Sequence, residues 1–393
     1  MIAALWVYFT ILGYFSLDET AAFQTRTNTF RLLSSRNVGA AATSIFARWS
    51  TTETLSDLEG ITEFESWFDG VEGCKCDGRI SHALFGGLRG LAWKGAKSAA
   101  SGSLASVHSS VVLTSDESHS NWDAILASRL WKEVHKGKGS SLYGYICLLA
   151  QGSFDTRSTD LVPPSTAPNT LRHWTLEQRD ILSTRPSGQK LLDLDVRQQK
   201  DWQQKYQQMA AVDRPSTLEQ FTWAMEVVHS RAFRGFDQSL VSSLPGILAP
   251  VVAGAIGWAY FVGSAYPNEA VLYVLGILAV LPGVFNIVLG GKKTVVLLPL
   301  IDSANHLESV GSSIEFSPLS GTFELSIQPD CIVADEEDGQ QLYISYGKKG
   351  DAELLLNYGF LPGVKAAAGI GEEAEDAQRR LLAESFLARN QST

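Results

Sequence analysis

Between Asp237 and Lys292 the chain carries a single charge, Glu269. Within that stretch, Ile247 to Tyr266 is an uncharged run of about twenty residues, and Ala270 to Gly290 is another. That length matches one bilayer crossing each. The connector Pro267-Asn268-Glu269 is short and turn-like. Two buried helices of a water-soluble core would also be apolar. Two adjacent runs of spanning length, in a chain only 19% charged, point instead to a transmembrane hairpin over residues 244–291. Gly254, Gly257, Gly263 and Pro282 are common in such helices. Arg231 and Arg234 precede the first run, and Lys292 and Lys293 follow the second. An even number of spans returns the chain to its starting side, which the flanking cations place in the cytosol or an equivalent compartment.

The N-terminus reads as a targeting leader. Ile2 to Phe15 is an apolar run too short to span, followed by small residues at Thr20-Ala21-Ala22. Residues 1–22 therefore read as signal-peptide-like and residues 23–52 as transit-peptide-like. From Thr20 to Thr52 there is no acid, and Arg26, Arg31, Arg36 and Arg48 lie among Ser, Thr and Ala. The pair resembles the bipartite leader of algae with secondary plastids. That implies a plastid membrane with the folded part facing the stroma, the endoplasmic reticulum membrane being the alternative. A formal charge of -10 without a long basic stretch excludes nucleic acid as a partner. Cys74, Cys76, Cys147 and Cys331 form no zinc-spaced set, so free thiols and no metal are expected.

Elsewhere the pattern mixes strands and helices. Arg79 to Phe85, Ala105 to Thr114, Thr294 to Leu300, Ile314 to Phe316, Thr322 to Gln328 and Gln341 to Tyr346 read as strands. Asn121 is placed to cap a helix through Leu130, and Thr175-Leu176-Glu177-Gln178 is a capping box. Ser216-Thr217-Leu218-Glu219 is a second capping box and opens a helix with Phe221, Ala224, Met225, Val228 and Ala232 on one face. Lys190 to Val212 reads as an exposed polar helix, Asp330 to Gly339 as an acidic loop, and Glu372 to Arg389 as a charged amphipathic tail helix.

Four short segments occur in order: Leu88-Arg89-Gly90-Leu91-Ala92, Ser230-Arg231-Ala232-Phe233, Leu298-Pro299-Leu300-Ile301-Asp302-Ser303-Ala304-Asn305-His306, and Tyr346 through Glu353-Leu354-Leu355-Leu356-Asn357-Tyr358-Gly359-Phe360. Each is weak alone. Together they resemble the SET-domain protein methyltransferases of the Rubisco large-subunit and actin-histidine type. The resemblance implies an α+β SET fold, with short β-sheets around a threaded C-terminal segment, a helical middle insert at 121–233, and the two-helix transmembrane hairpin inserted within it. The first part of the domain would run over 55–236, the catalytic C-terminal part over 293–362, and the tail over 363–393.

The resemblance also implies the chemistry. S-adenosylmethionine (AdoMet) would be the cofactor and a protein the substrate, with lysine as the acceptor; the bilayer would be a second partner through the hairpin. Gly87 and Gly90 would let main chain approach the cofactor, as glycine does. Arg89, Gly90, Leu91, Arg231, Asn305, His306 and Tyr358 would hold the cofactor, with His306 acting through its main chain. Tyr358 and Tyr346 would be the catalytic pair, and Ser230, Asp302 and Tyr346 would line the substrate mouth. Histidine as the acceptor, or a silent SET-like membrane module that binds a partner protein, are the alternatives.

Overall fold

The computed structural model describes residues 52–85, 88–151, 162–237, 293–317, 320–335, 339–364 and 372–390. One compact unit runs from Ser56 to Thr393. Its first half contributes helix α1 (Thr52–Gly70), then strands β1 (Lys75–Cys76), β2 (Ile80–Phe85), β3 (Leu88–Trp93), β4 (Gly102–His108) and β5 (Leu113–Asp116). Helices α2 (Trp122–Lys136), α3 (Tyr143–Leu149), α4 (Leu176–Ser183), α5 (Pro186–Gln208) and α6 (Leu218–Arg231) follow. The chain then returns to strands: β6 (Phe233–Asp237), β7 (Lys293–Leu297), β8 (Asn305–His306), β9 (Ser312–Ser317), β10 (Thr322–Ile327), β11 (Ile332–Asp335) and β12 (Gly339–Ile344). Helices α7 (Asp351–Asn357) and α8 (Glu372–Arg389) close it. The architecture is α+β.

Among the described residues the strands form three small sheets, ordered β1-β4-β10-β9, β11-β12-β3-β2 and β5-β7-β6, with β8 paired to β12. Each sheet joins strands from both halves of the chain, so the helical middle is an excursion from one strand framework. The β8–β12 pair is parallel, with Tyr343 opposite Asn305 and Ile344 opposite His306. Strand β6 runs antiparallel to β7, and Asp237 faces Lys293 across the pair. Thr294 Oγ1 donates to Phe236 O at 2.7 Å at the same place. The two ends of the 238–292 stretch are therefore cross-strand neighbours, as an insertion tolerated by its host requires.

Two apolar cores hold these parts. The larger one joins Phe64 and Phe68 of α1, Leu91 and Trp93 of β3, Leu126 and Leu130 of α2, Phe221 and Met225 of α6, Val295 to Leu297 of β7 and Leu342 and Ile344 of β12. The second joins Leu171, Trp174, Leu182 and Leu191 to Leu355 and Leu356 of α7 and to Leu382, Phe386 and Leu387 of α8. The tail helix is thus packed against the helical middle and against α7.

Local signals explain most boundaries. Thr175 and Gln178 close a reciprocal capping box on α4. The second box is Thr217 with Gln220, one residue later than the sequence suggests, because Thr217 takes the extended backbone that an N-cap needs. Asn121 precedes α2 but makes no capping hydrogen bond. The run from Ala105 to Thr114 is two strands, since Ser109–Val111 forms a 3-10 turn capped by the His108 side chain. The acidic loop holds β11, paired with β12 through Ile332–Leu342 and Val333–Gln341. Helix α5 is not simply exposed. Leu191, Asp195 and Trp202 are buried along one stripe, Arg179 pairs with Asp195 at 2.5 Å, and Arg172 stacks over the Trp202 ring at 4.2 Å.

The transmembrane hairpin expected over 244–291 is corrected. No helix among the described residues is long and apolar enough to cross a membrane. The runs 247–266 and 270–290 lie outside the described residues. The hairpin and its bilayer contact are therefore no part of the described fold, which is α+β. The leader segments 1–22 and 23–52, apart from Thr52 at the start of α1, lie outside the described residues, as do Gly86 and Gly87.

Candidate active site

A cleft opens where β3, the end of α6, the β7–β8 junction and the β12–α7 segment meet. Arg89, Ser230, Arg231, Asp302, Ser303, Asn305, Tyr346, Tyr358 and Phe360 line it, facing Thr166 to Asn169 from the helical middle. Residues separated by more than two hundred positions in sequence are brought to one wall by the sheet pairings above.

The β7–β8 junction turns sharply to reach it. Leu300 has φ 72° and ψ −55°, a conformation costly for a branched side chain, and it leads into the 3-10 turn Ile301–Ser303. That turn delivers Asp302 to the floor of the cleft, 4% exposed. Tyr145 donates its hydroxyl to Asp302 Oδ2. Arg231 donates to the Asp302 carbonyl at 3.0 Å, and the same nitrogen lies 3.9 Å from the carboxylate. Burial pushes the Asp302 carboxyl up, while Arg231 and the Tyr145 hydroxyl hold it back. Burial beside Asp302 also raises Tyr145, which keeps the phenol protonated as the donor of this bond. Arg89 reaches from β3 to the Leu148 carbonyl at 2.5 Å. Asp302 is thus held from two sides within the cleft lining, and Ser230 donates its hydroxyl to Glu226 O of its own helix at 2.8 Å.

An aromatic wall stands above this floor. The Tyr346 ring stacks on His306 at 4.9 Å and 18°, meets Phe233 edge-on at 5.9 Å and lies 5.3 Å from Tyr358. Tyr358 in turn meets Phe360 edge-on at 6.2 Å. Tyr346 donates its hydroxyl to Ala304 O at 2.6 Å, and its backbone N–H donates to His306 Nδ1 at 3.0 Å. A ring nitrogen that accepts from an amide carries no proton, which agrees with burial holding His306 below the ordinary histidine range. Burial pushes Tyr358 up to about 12 and raises Tyr346 as well. Both phenols are neutral hydroxyls at pH 7.

Gly90 shows where main chain must stay bare. A Cβ there would lie 2.7 Å from Gln341 Nε2 and 2.8 Å from Asn305 Nδ2. Two amide side chains therefore converge over the Gly90 backbone. Leu307 donates to Ile344 O, and in a parallel pair this leaves the His306 peptide groups facing away from β12. Several buried polar atoms of lining residues have no hydrogen-bond partner among the described residues: Thr166 Oγ1, Asn169 Oδ1, Asp302 Oδ1, Ser303 Oγ and Arg231 Nε. Buried polar atoms are nearly always satisfied, so a concentration of orphans around one cleft marks a place built for a polar ligand.

Of the residues singled out in sequence, Arg89, Ser230, Arg231, Asp302, Asn305, Tyr346 and Tyr358 line the cleft. Gly90 adjoins it through Asn305, and His306 lies behind Tyr346. The Leu91 side chain is 1% exposed in the main core, on a strand paired on both sides, and it does not line the cleft. Sequence reasoning missed Tyr145, Gln151, Ser303, Phe360 and the segment Thr166 to Asn169. Ser303 and Phe360 sit inside the quoted segments and were legible from them; the others carry no local signature.

No family model matches the chain, and no curated protein matches it. Among solved structures the chain is similar to the crystal structure of the SET domain of LSMT bound to lysine and AdoHcy. The two are 16% identical with a TM-score of 0.46, over 77% of this chain and 57% of that one.

Proposed function

We propose that the chain is an AdoMet-dependent protein N-methyltransferase of the SET type, with lysine as the acceptor. One observation carries the reading. The four segments that resemble the SET enzymes converge on a single cleft, with the tyrosines, the amide and the bare glycine in complementary places.

The residues present fit the cofactor. Asn305 and Gln341 bring amide donors over Gly90, which has no side chain to block main-chain approach. The His306 peptide groups are turned away from β12 toward a ligand edge. Bound AdoMet supplies an electrophilic methyl carbon on a sulfonium. Transfer to nitrogen is then an in-line displacement, and the chain needs to align a neutral amine and exclude water.

Tyr358 has the hydroxyl for that alignment. Its proton stays on at neutral pH, so it orients the amine and does not remove its proton. The acceptor amine instead loses its proton to solvent, helped by desolvation between Tyr346, Tyr358 and Phe360. Tyr346 is held by Ala304 and His306 and acts as a fixed wall.

Calorimetry of AdoMet binding to the full chain and to Asn305→Ala tests the cofactor half. The full chain is expected to bind, and the variant to bind at least tenfold more weakly, the scale of a lost buried hydrogen bond. Equal binding by both would remove Asn305 from the site, and no binding by the full chain would refute the proposal.

A further inference from the structure

The part of the cleft lining from Thr166 to Asn169 belongs to none of the four segments, yet it is firmly held. Ser165 Oγ donates to Glu226 at 2.8 Å, and Thr170 Oγ1 donates to the other oxygen of that carboxylate at 2.9 Å. Glu226 is 2% exposed, and its carboxylate also meets His173 at 2.8 Å. The backbone is pinned as well. Trp223 donates to Pro164 O at 2.9 Å, Trp174 donates to Asn169 O at 2.9 Å, and Arg379 of α8 donates to Pro168 O at 3.0 Å. Helices α6 and α8, together with Trp174 just before α4, thus fix the main chain from Pro164 to Thr170.

Against that rigid main chain, two side-chain oxygens are left over. Thr166 Oγ1 and Asn169 Oδ1 are buried, line the cleft and have no partner among the described residues. Asn169 as a whole is 7% exposed. Its place in the cleft is set by Gly359. Gly359 has φ +72°, and a Cβ there would lie 2.8 Å from Asn169 C and 2.8 Å from Thr170 N. Asn169 is therefore pressed against the residue between Tyr358 and Phe360. Tyr358 and Phe360 line the cleft there.

We propose that Asn169, seconded by Thr166, is the hydrogen-bond acceptor for the substrate nitrogen. The inference rests on the methyltransferase reading above. A nitrogen that attacks a methyl carbon directs its lone pair at that carbon, so its hydrogens must point elsewhere and need acceptors. Tyr358 supplies one hydroxyl, and Asn169 Oδ1, packed beside Gly359, supplies a fixed acceptor in the same cleft. The preorganised backbone means that little ordering is required when the amine arrives. The same oxygen serves a lysine amine before and after its proton is lost, because both forms donate.

The test is titration of L-lysine into the full chain with AdoHcy at saturation, followed by calorimetry. The wild type is expected to bind lysine. Asn169→Leu, which keeps the volume and removes the acceptor, is expected to weaken lysine by about tenfold to a hundredfold, the range for a hydrogen bond to a charged group, with AdoHcy affinity unchanged. Asn169→Asp places a carboxylate opposite the ammonium and is expected to tighten lysine binding. Should Asn169→Leu fail to fold, Asn169→Asp and Thr166→Val decide the matter, the latter weakening lysine by severalfold. Lysine affinity unchanged across these variants overturns the inference. So does a wild type that binds AdoHcy and takes no lysine, which leaves the cofactor half standing. A wild type that binds no AdoHcy fails the proposed function as well.

Discussion

At the scale of single residues, the site depends on what is missing at position 90. The atoms that a Cβ would meet there are the ends of two amide side chains and the Phe85 ring edge. Such ends move without disturbing the fold, but moving the Asn305 amide displaces the donor assigned to the cofactor. Gly90→Ala is therefore expected to weaken AdoMet by tenfold or more in calorimetry, with Tm shifted by only a few degrees. A large loss of Tm with intact binding would show that Gly90 serves the sheet. Gly90 was legible in sequence because it sits within Leu88-Arg89-Gly90-Leu91-Ala92. Tyr145 and Asn169 were not. Each is one residue in an unremarkable stretch, and each reaches the cleft only through tertiary packing with Asp302 and Gly359.

At the scale of elements, the helical middle is joined by buried charges where apolar periodicity is thin. Asp123 of α2 accepts from Lys205 of α5 at 2.8 Å and from His229 of α6 at 3.2 Å. Burial alone would raise the Asp123 carboxyl, yet His229 and Lys205 hold it down at about 2. Burial keeps His229 itself below the ordinary histidine range, so Lys205 is the cation of the trio. A depressed carboxyl stabilises the fold above its unfolded pKa and loses that contribution as pH falls through its folded value. The gain is about 2 kcal/mol, present above roughly pH 4 and lost toward pH 2. Asp123→Asn should lower stability at pH 7 by a similar amount and flatten the dependence on pH between 4 and 2, read as Tm against pH. Unchanged dependence would assign the acid sensitivity elsewhere.

The tail offers a cleaner test of docking. Leu382 is fully buried in the second core, while its neighbour Leu381 is 39% exposed. Leu382→Ala should cost about 2–5 kcal/mol and Leu381→Ala within about 0.5 kcal/mol, measured by denaturant unfolding. Equal costs would mean that α8 is not packed on this face. The helix itself was readable, since its charged amphipathic pattern gives the bounds Glu372–Arg389 found in the structure. Its partner face was not, because Leu171, Leu182 and Leu355 come from three separate elements. Strands β8 and β11 were also missed. Two and four residues are too short to carry a period, and pairing with β12 alone makes them strands.

At the scale of the molecule, three small sheets assembled from both halves of the chain create one cleft, and methyl transfer is the function proposed for it. The order of the four segments was visible in sequence; their convergence depends on pairings such as β3 with β12 and β6 with β7, which local pattern does not encode. The apolar run between those last two strands reads as a hairpin from composition alone; it lies outside the described residues, none of whose helices is long and apolar enough to cross a membrane. The most direct test is transfer of radiolabel from methyl-labelled AdoMet to protein lysine, in a protein extract, by the full chain and by Tyr358→Phe. The full chain should label lysine, and the variant should do so tenfold to a thousandfold more slowly with AdoMet affinity nearly unchanged, the range for losing one positioned hydrogen-bonding group. A full chain that binds AdoMet and labels nothing, or a Tyr358→Phe variant that labels as fast as the full chain, would contradict the account.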